Sequence, residues 1–126
     1  MARDIKNIKP TEAELMLLNV LWQMGPATVR QIHDVVSNTQ KTGYTTVLKI
    51  LQIMHEKNLV IRDESNRAHV YAAANSEVQT QSSLLKDLVN KAFGGSTSKL
   101  VMRALDKSTS QEEIADIRQL LNELEA

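Results

Sequence analysis

The sequence contains no cysteine, which excludes disulfide bridges, thiol chemistry and thiolate metal sites. Aromatic residues make up only 3% of its 126 residues, so Leu, Ile, Val and Met must build the core. No apolar run reaches the roughly 18 residues that a membrane-spanning helix requires, and the N-terminal stretch lacks the apolar segment of a signal peptide. These absences predict a soluble, cytoplasmic protein without a membrane partner.

Net charge is also absent, because fifteen basic residues balance fifteen acidic ones. A neutral chain gives no general electrostatic argument for binding nucleic acid. The charges are nevertheless placed unevenly: residues 1–75 carry nine basic and seven acidic side chains, and residues 76–126 carry six and eight. The positive surplus in the first part is weak support for a contact with phosphates, and ordinary surface scatter explains it equally well.

Catalytic and metal-binding patterns are missing too, since there is no Gly-rich phosphate loop and no nucleophile motif. Several carboxylates occur at predicted helix starts, where the helix dipole explains them: Glu12, Glu14, Glu112 and Glu113. The histidines are spread over separate predicted elements, which favours surface side chains over a metal site: His33, His55 and His69. The sequence therefore predicts no enzyme, no cofactor and no bound metal.

Three helices are predicted in the first half of the chain. Thr11–Glu14 forms a capping box that starts the first helix, and the Gly25-Pro26 pair ends it. Thr28–Gln31 repeats the same pattern at the start of the second helix. After a polar connection, a third helix begins near Gly43.

A change of periodicity after the third helix predicts a β-hairpin, with strands at Leu59–Ile61 and Ala68–Ala72 and a polar turn between them. Three helices followed by a hairpin is the order of a winged helix-turn-helix domain, whose third helix enters the major groove of DNA. We therefore predict a mainly α fold with a small β-hairpin, in which residues 1–75 form a winged-helix DNA-binding domain.

The third predicted helix has two different faces. Its apolar residues fall at i, i+3, i+4 and i+7, so they form one stripe that must be buried: Val47, Ile50, Leu51 and Met54. The opposite side carries Thr45, Lys49, Gln52 and Glu56. Hydroxyls and a lysine suit contact with phosphates and base edges, which favours a DNA-reading helix over an ordinary solvated face.

Residues 76–126 are predicted to form a helical dimerisation domain. About fifty residues in thin helices can hardly close a core of their own, so we expect their apolar faces to pair with a second copy. A bundle within one chain is the alternative. The residues assigned to dimerisation are Leu84, Leu85, Leu88, Val89, Phe93, Leu100, Val101, Leu105, Ile114, Ile117, Leu121 and Leu124.

Several motifs resemble those of the penicillinase and methicillin-resistance repressor family, which also includes copper-responsive repressors. Gly43–Val47 opens the third predicted helix, Lys57–Leu59 follows it, and Arg67-Ala68 lies in the predicted wing. The family's Glu-x-x-Leu/Met-x-x-Leu/Val-x-Trp motif is met by Glu14–Trp22, and a Gln-Glu-Glu-Ile motif opens Gln111–Arg118. The resemblance covers nearly the whole chain.

This resemblance implies a homodimeric winged-helix repressor that binds double-stranded DNA at an inverted-repeat operator. It implies that Thr42, Tyr44, Thr45, Thr46 and Lys49 face DNA and that Arg67 serves the wing. Arg30 is assigned a phosphate contact from its place on the second predicted helix.

Two features of the family have no counterpart in this sequence. The copper-responsive branch has a cysteine-rich tail, and the penicillinase branch is cleaved at an Asn-Phe bond that aligns with Arg103-Ala104 here. The resemblance therefore implies a repressor and leaves its inducing signal, including any upstream sensor or protease, unassigned. The alternative function is a winged-helix module that binds protein and not DNA, which the neutral charge permits.

Overall fold

The computed structural model describes residues 9–126. In chain order the elements of this range are α1 (Glu12–Met24), β1 (Ala27–Thr28), α2 (Val29–Val36), α3 (Tyr44–Glu56), β2 (Val60–Asp63), β3 (Val70–Ala73), α4 (Glu77–Ala92), α5 (Thr97–Ala104) and α6 (Gln111–Glu125). The predicted class is confirmed: a mainly α protein with the element order of a winged-helix domain, followed by a helical arm.

Side-chain caps determine where the helices begin. The Thr11 hydroxyl accepts a hydrogen bond from the Glu14 amide at 3.2 Å, and Glu14 Oε1 accepts one from the Thr11 amide at 2.9 Å. Thr28 and Gln31 make the same reciprocal pair at the start of α2, and α6 also begins with a capping box. These local pairs satisfy amides that have no partner inside the helix, which confirms the predicted helix starts.

The hairpin belongs to a three-stranded antiparallel sheet with the strand order β1-β3-β2. In β1, Ala27 pairs with Tyr71 and Thr28 pairs with Val70. The cap of α2 therefore also lies in the sheet, which connects the second helix to the wing. The sequence predicted only two strands, because a strand of two residues has no detectable periodicity.

The strand boundaries differ from the prediction at the end of α3. Asn58 has a φ of 65°, a left-handed conformation that ends the helix. The Leu59 amide then donates to the Met54 carbonyl at 2.9 Å, so Leu59 closes the helix and β2 begins one residue later than predicted.

The hydrophobic core lies among α1, α2, α3 and the sheet. Tyr71 of β3 is 1% exposed and is one of the largest fully buried side chains. Trp22 is only half-buried, and its indole N–H donates to the Asn75 carbonyl at 3.0 Å. As predicted, aliphatic side chains and methionine form most of the core, including Leu17, Leu18, Leu21, Ile32, Val36, Val47, Leu51, Met54 and Val60.

The chain forms two compact units, of which the first ends at Leu84 and the second is Leu85–Ala126. The division falls inside α4, further along the chain than the predicted boundary after residue 75, which stays a prediction. Val89 is the buried residue of α4, whereas α5 and α6 contain no buried residue at all. No helix in the described range is both long and apolar enough to cross a membrane.

Candidate nucleic-acid interface

The polar row predicted opposite the apolar stripe of the third helix is exposed on α3. It consists of Thr45, Lys49, Gln52 and Glu56, and Thr46 beside it is exposed as well. The other side of the helix is anchored in the core by fully buried residues: Val47, Leu51 and Met54. Because burial fixes the rotation of α3 about its axis, the polar row has one defined direction.

The N-terminus of α3 is open. Gly43 occupies the N-cap position and has no side chain to bond the first amides, whereas α1, α2, α5 and α6 each have a hydroxyl cap. Uncapped amides carry the positive end of the helix dipole and suit an anionic oxygen. Tyr44, which is 43% exposed, stands beside this end.

Thr42 and Tyr44, which flank Gly43, are both in contact with His33 of α2. The His33 Nε2 atom lies 2.7 Å from the Thr42 carbonyl oxygen, and the His33 and Tyr44 rings meet edge to face with centroids 6.0 Å apart. His33 was predicted as a surface histidine, but it is half-buried between these residues. The structure thus brings Thr42 and Tyr44 together at the start of α3.

A partly buried ion pair holds the opposite end of α3. Lys57 Nζ, just after the helix, donates to both carboxylate oxygens of Glu14, at 3.0 and 2.9 Å. Burial alone would raise the pKa of the Glu14 carboxyl, but hydrogen bonds from the Thr11 amide and from Lys57 outweigh it and lower that pKa. The pair joins α1 to α3 and therefore helps to set the direction of the exposed row.

The wing tip is formed by the end of β2 and the residues between β2 and β3. Arg62 binds Glu64 through Nε at 2.7 Å, and hydrogen bonds with Arg62 lower the pKa of the Glu64 carboxyl. Asp63 accepts hydrogen bonds from the amide and hydroxyl of Ser65, which lower its pKa. Both acidic groups are thus engaged within the wing, and Arg67 is exposed at its tip.

The remaining predicted contacts lie apart from this group. Arg30 is exposed on α2. Among the described side chains, no hydrogen bond joins Arg30 or Arg67 to Thr42 or to Tyr44, Thr45, Thr46 and Lys49 of α3. The start of α3, the wing tip and Arg30 are therefore three separate polar elements of the first unit.

The twelve residues assigned to dimerisation lie on the helices of the arm or beside them, and five of them are exposed. Leu121 is 54% exposed and Leu124 is 73% exposed, and Leu85, Leu88 and Val101 are exposed as well. Val89 is buried, and the rest are half-buried: Leu84, Phe93, Leu100, Leu105, Ile114 and Ile117. On α5 and α6, the exposed large apolar residues Met102 and Leu120 were not assigned from the sequence. Each is adjacent in sequence to an assigned residue, and this adjacency is the sequence signal that could have identified it.

No group of three or more His, Asp or Glu side chains converges to hold a metal ion between residues 9 and 126. The histidines lie on α2, at the end of α3 and between β2 and β3. The polar groups of the first unit are accordingly arranged along exposed surfaces and tips, which suits contact with an extended partner.

Comparison with known proteins gives a family and several relatives. A family model described as penicillinase repressor matches residues 10–123. The transcriptional regulator BlaI of Mycobacterium tuberculosis is 30% identical over 116 residues, covering 91% of this chain and 84% of the relative. The methicillin resistance regulatory proteins MecI of Mammaliicoccus sciuri and Staphylococcus aureus are 23% identical over 120 residues, covering 94% of this chain and 98% of each relative.

Proposed function

Because the chain belongs to the penicillinase repressor family, we propose that it acts as a homodimer that binds an inverted-repeat DNA operator, with α3 in the major groove. A repressor of this family is not an enzyme, so its exposed polar groups act by binding. The observation that carries the proposal is the polar row of α3, which has the core on one side, an open N-terminus at one end and a wing after it. This is the arrangement that a groove-reading helix requires.

We assign the DNA contacts to three groups of residues. Thr45, Thr46 and Lys49 reach base edges and phosphates from the first turns of α3, where a recognition helix is deepest in the groove. The open helix N-terminus with Thr42 and Tyr44 binds a phosphate. Arg67 contacts DNA beside the major groove, and Arg30 contacts a phosphate from α2.

The arm is the proposed dimer interface. Support comes from α5 and α6, which contain no buried residue although both carry apolar side chains. Apolar faces of this kind are stabilised when a second surface covers them. A symmetric pair of arms would place two winged-helix units on the two halves of an operator.

The direct test is selection of DNA fragments from the organism's own genome by the purified protein. We expect a small set of fragments to be retained and binding to weaken steeply as salt rises, because phosphate contacts release counterions. A protein that retains no fragment even at low salt would instead be a winged-helix module for protein partners.

Removing a proposed contact should weaken binding to a selected fragment. We expect Lys49→Ala and Arg67→Ala each to lower affinity by about tenfold, and the salt dependence to become shallower, since each dimer loses two contacts. Fluorescence anisotropy at several salt concentrations measures both effects. Lys107→Ala, which removes an exposed lysine outside the first unit, is the matched control. Losses below about twofold for both variants would contradict the assigned face.

The open N-terminus of α3 allows stability and binding to be separated. Gly43 has an ordinary extended conformation, and a Cβ there meets only Thr46 Oγ1 at 4.0 Å, so a capping side chain fits. Gly43→Asp should raise the free energy of unfolding by about 0.5 kcal/mol through a new cap. It should also weaken DNA binding by about tenfold, because it puts a negative charge next to the phosphate.

Gly43→Ser is the control, because it adds the cap without the charge. We expect it to stabilise the protein to a similar degree and to keep most of the affinity. Denaturant unfolding and anisotropy measure the two properties. If Gly43→Asp bound DNA as well as Gly43→Ser, the start of α3 would not lie against a phosphate.

A further inference from the structure

The connection between α2 and α3 needs an anchor. Residues 37–43 include no hydrophobic side chain, and all of them except Thr42 are exposed. Burial of apolar groups therefore does not hold this segment in place. Its last residues nevertheless determine where α3 begins and how Thr42 and Tyr44 are presented.

His33 supplies a polar contact to this segment from α2. A carbonyl oxygen only accepts, so the short 2.7 Å contact with Thr42 requires that His33 Nε2 carries the hydrogen and donates it. Ser37 Oγ lies 3.2 Å from the same nitrogen. One side chain of the preceding helix is thus bonded to the backbone immediately before the α3 cap.

The imidazole ring makes a second contact on the other side of the cap. Its plane is inclined by 76° to the ring of Tyr44, with 6.0 Å between centroids, which is the favourable edge-to-face arrangement. Tyr44 is otherwise an exposed aromatic side chain at a helix end. The imidazole edge restricts the directions in which the Tyr44 ring can point.

We propose that His33 is a positioning residue for the DNA-binding face, an inference that rests on the proposed function. It orders Thr42 and Tyr44 before DNA arrives, without touching DNA itself. Ordering them in the free protein reduces the conformational entropy that binding would otherwise remove. Loss of His33 therefore acts on affinity through Thr42 and Tyr44.

Three substitutions separate the two contacts. His33→Gln keeps an N–H donor for the Thr42 carbonyl and loses the ring. His33→Phe keeps a ring edge for Tyr44 and loses the donor. His33→Ala loses both, and it should show the largest effect.

The test uses the full chain and a DNA fragment that the unmodified protein selects from its genome. We expect His33→Ala to weaken binding about tenfold, because Thr42 and Tyr44 in each half of the dimer lose the contacts with His33 that position them, and each of the other two variants to restore part of the loss. When His33→Ala is combined with Tyr44→Ala, the fold-loss of DNA affinity should be smaller than the product of the two single fold-losses. When His33→Ala is combined with Lys49→Ala, the two fold-losses should multiply.

Denaturant unfolding of every variant separates this role from a merely structural one. Partial unfolding would reduce apparent affinity equally in the Tyr44 and Lys49 backgrounds, so that pattern would overturn the inference. It is also overturned if His33→Ala binds within about twofold of the unmodified protein while Tyr44→Ala binds weakly. If the unmodified protein retains no DNA at low salt, the proposed function itself has failed, and the inference fails with it.

Discussion

A variant carrying Ile117→Asp and Leu121→Asp should be monomeric at concentrations where the unmodified chain is dimeric. Leu121 is exposed and Ile117 is half-buried on α6, so neither substitution disturbs a buried site in the chain itself. In the proposed dimer, each copy would bring two carboxylates into an apolar interface. Taking each of these charges out of water costs several kcal/mol, which such an interface cannot offset.

The same variant should also bind its operator fragment about 100-fold more weakly, or worse. A dimer holds its second winged-helix unit close to the second half-site, and a monomer loses that high effective concentration. Light scattering measures the mass, circular dichroism tests whether the helices persist, and anisotropy gives the affinity. These readings together separate loss of the dimer from loss of folding.

The matched control is Ala115→Asp with Asn122→Asp. It adds the same charge to α6 at exposed positions on the opposite side of the helix. We expect this control to remain dimeric and to bind DNA with little change. If the Ile117 and Leu121 variant still scattered light as a dimer, the face assigned to dimerisation would be wrong and the interface would lie elsewhere.

Features that depend on neighbours in sequence could be predicted well. The capping box of Thr11 and Glu14 involves residues three positions apart, and both hydrogen bonds are present. The row that contains Lys49 follows from the 100° rotation per residue, and it is exposed as the periodicity predicts. Local pattern was sufficient here, because tertiary packing agrees with it.

Features that join distant segments could not be predicted in this way. Glu14 was assigned to a helix cap alone, yet its carboxylate also binds Lys57, 43 positions further along the chain. His33 contacts a backbone carbonyl, which no side-chain pattern reveals. The strand at Ala27–Thr28 exists only because β3 lies beside it. Each is a consequence of the assembled fold.

Lys57→Met should lower the free energy of unfolding at pH 7 by about 2 kcal/mol, which is less than the roughly 3–5 kcal/mol for breaking a fully buried ion pair because the Lys57 side chain is 35% exposed. The variant leaves the Glu14 carboxylate, which is 3% exposed, without its cation. Glu14→Gln should have a smaller effect, because the Lys57 side chain is 35% exposed and can turn towards water. The double variant should lose less than the two single losses added together, since it leaves no unpaired charge.

The effect of Lys57→Met should also depend on pH. In the folded protein the pKa of Glu14 lies below its ordinary value of 4.5, so the ionised carboxylate stabilises the fold at neutral pH. That contribution is lost as the pH falls from 4.5 through the lower folded pKa. In Lys57→Met the Glu14 carboxyl is protonated more readily, so near pH 4 its burial is less costly.

Urea unfolding at pH 7 and about pH 4 should therefore show that the difference in unfolding free energy between Lys57→Met and the unmodified protein becomes smaller in acid. A difference of the same size at both pH values would mean that Lys57 stabilises the fold through its packing and not through the charge of Glu14.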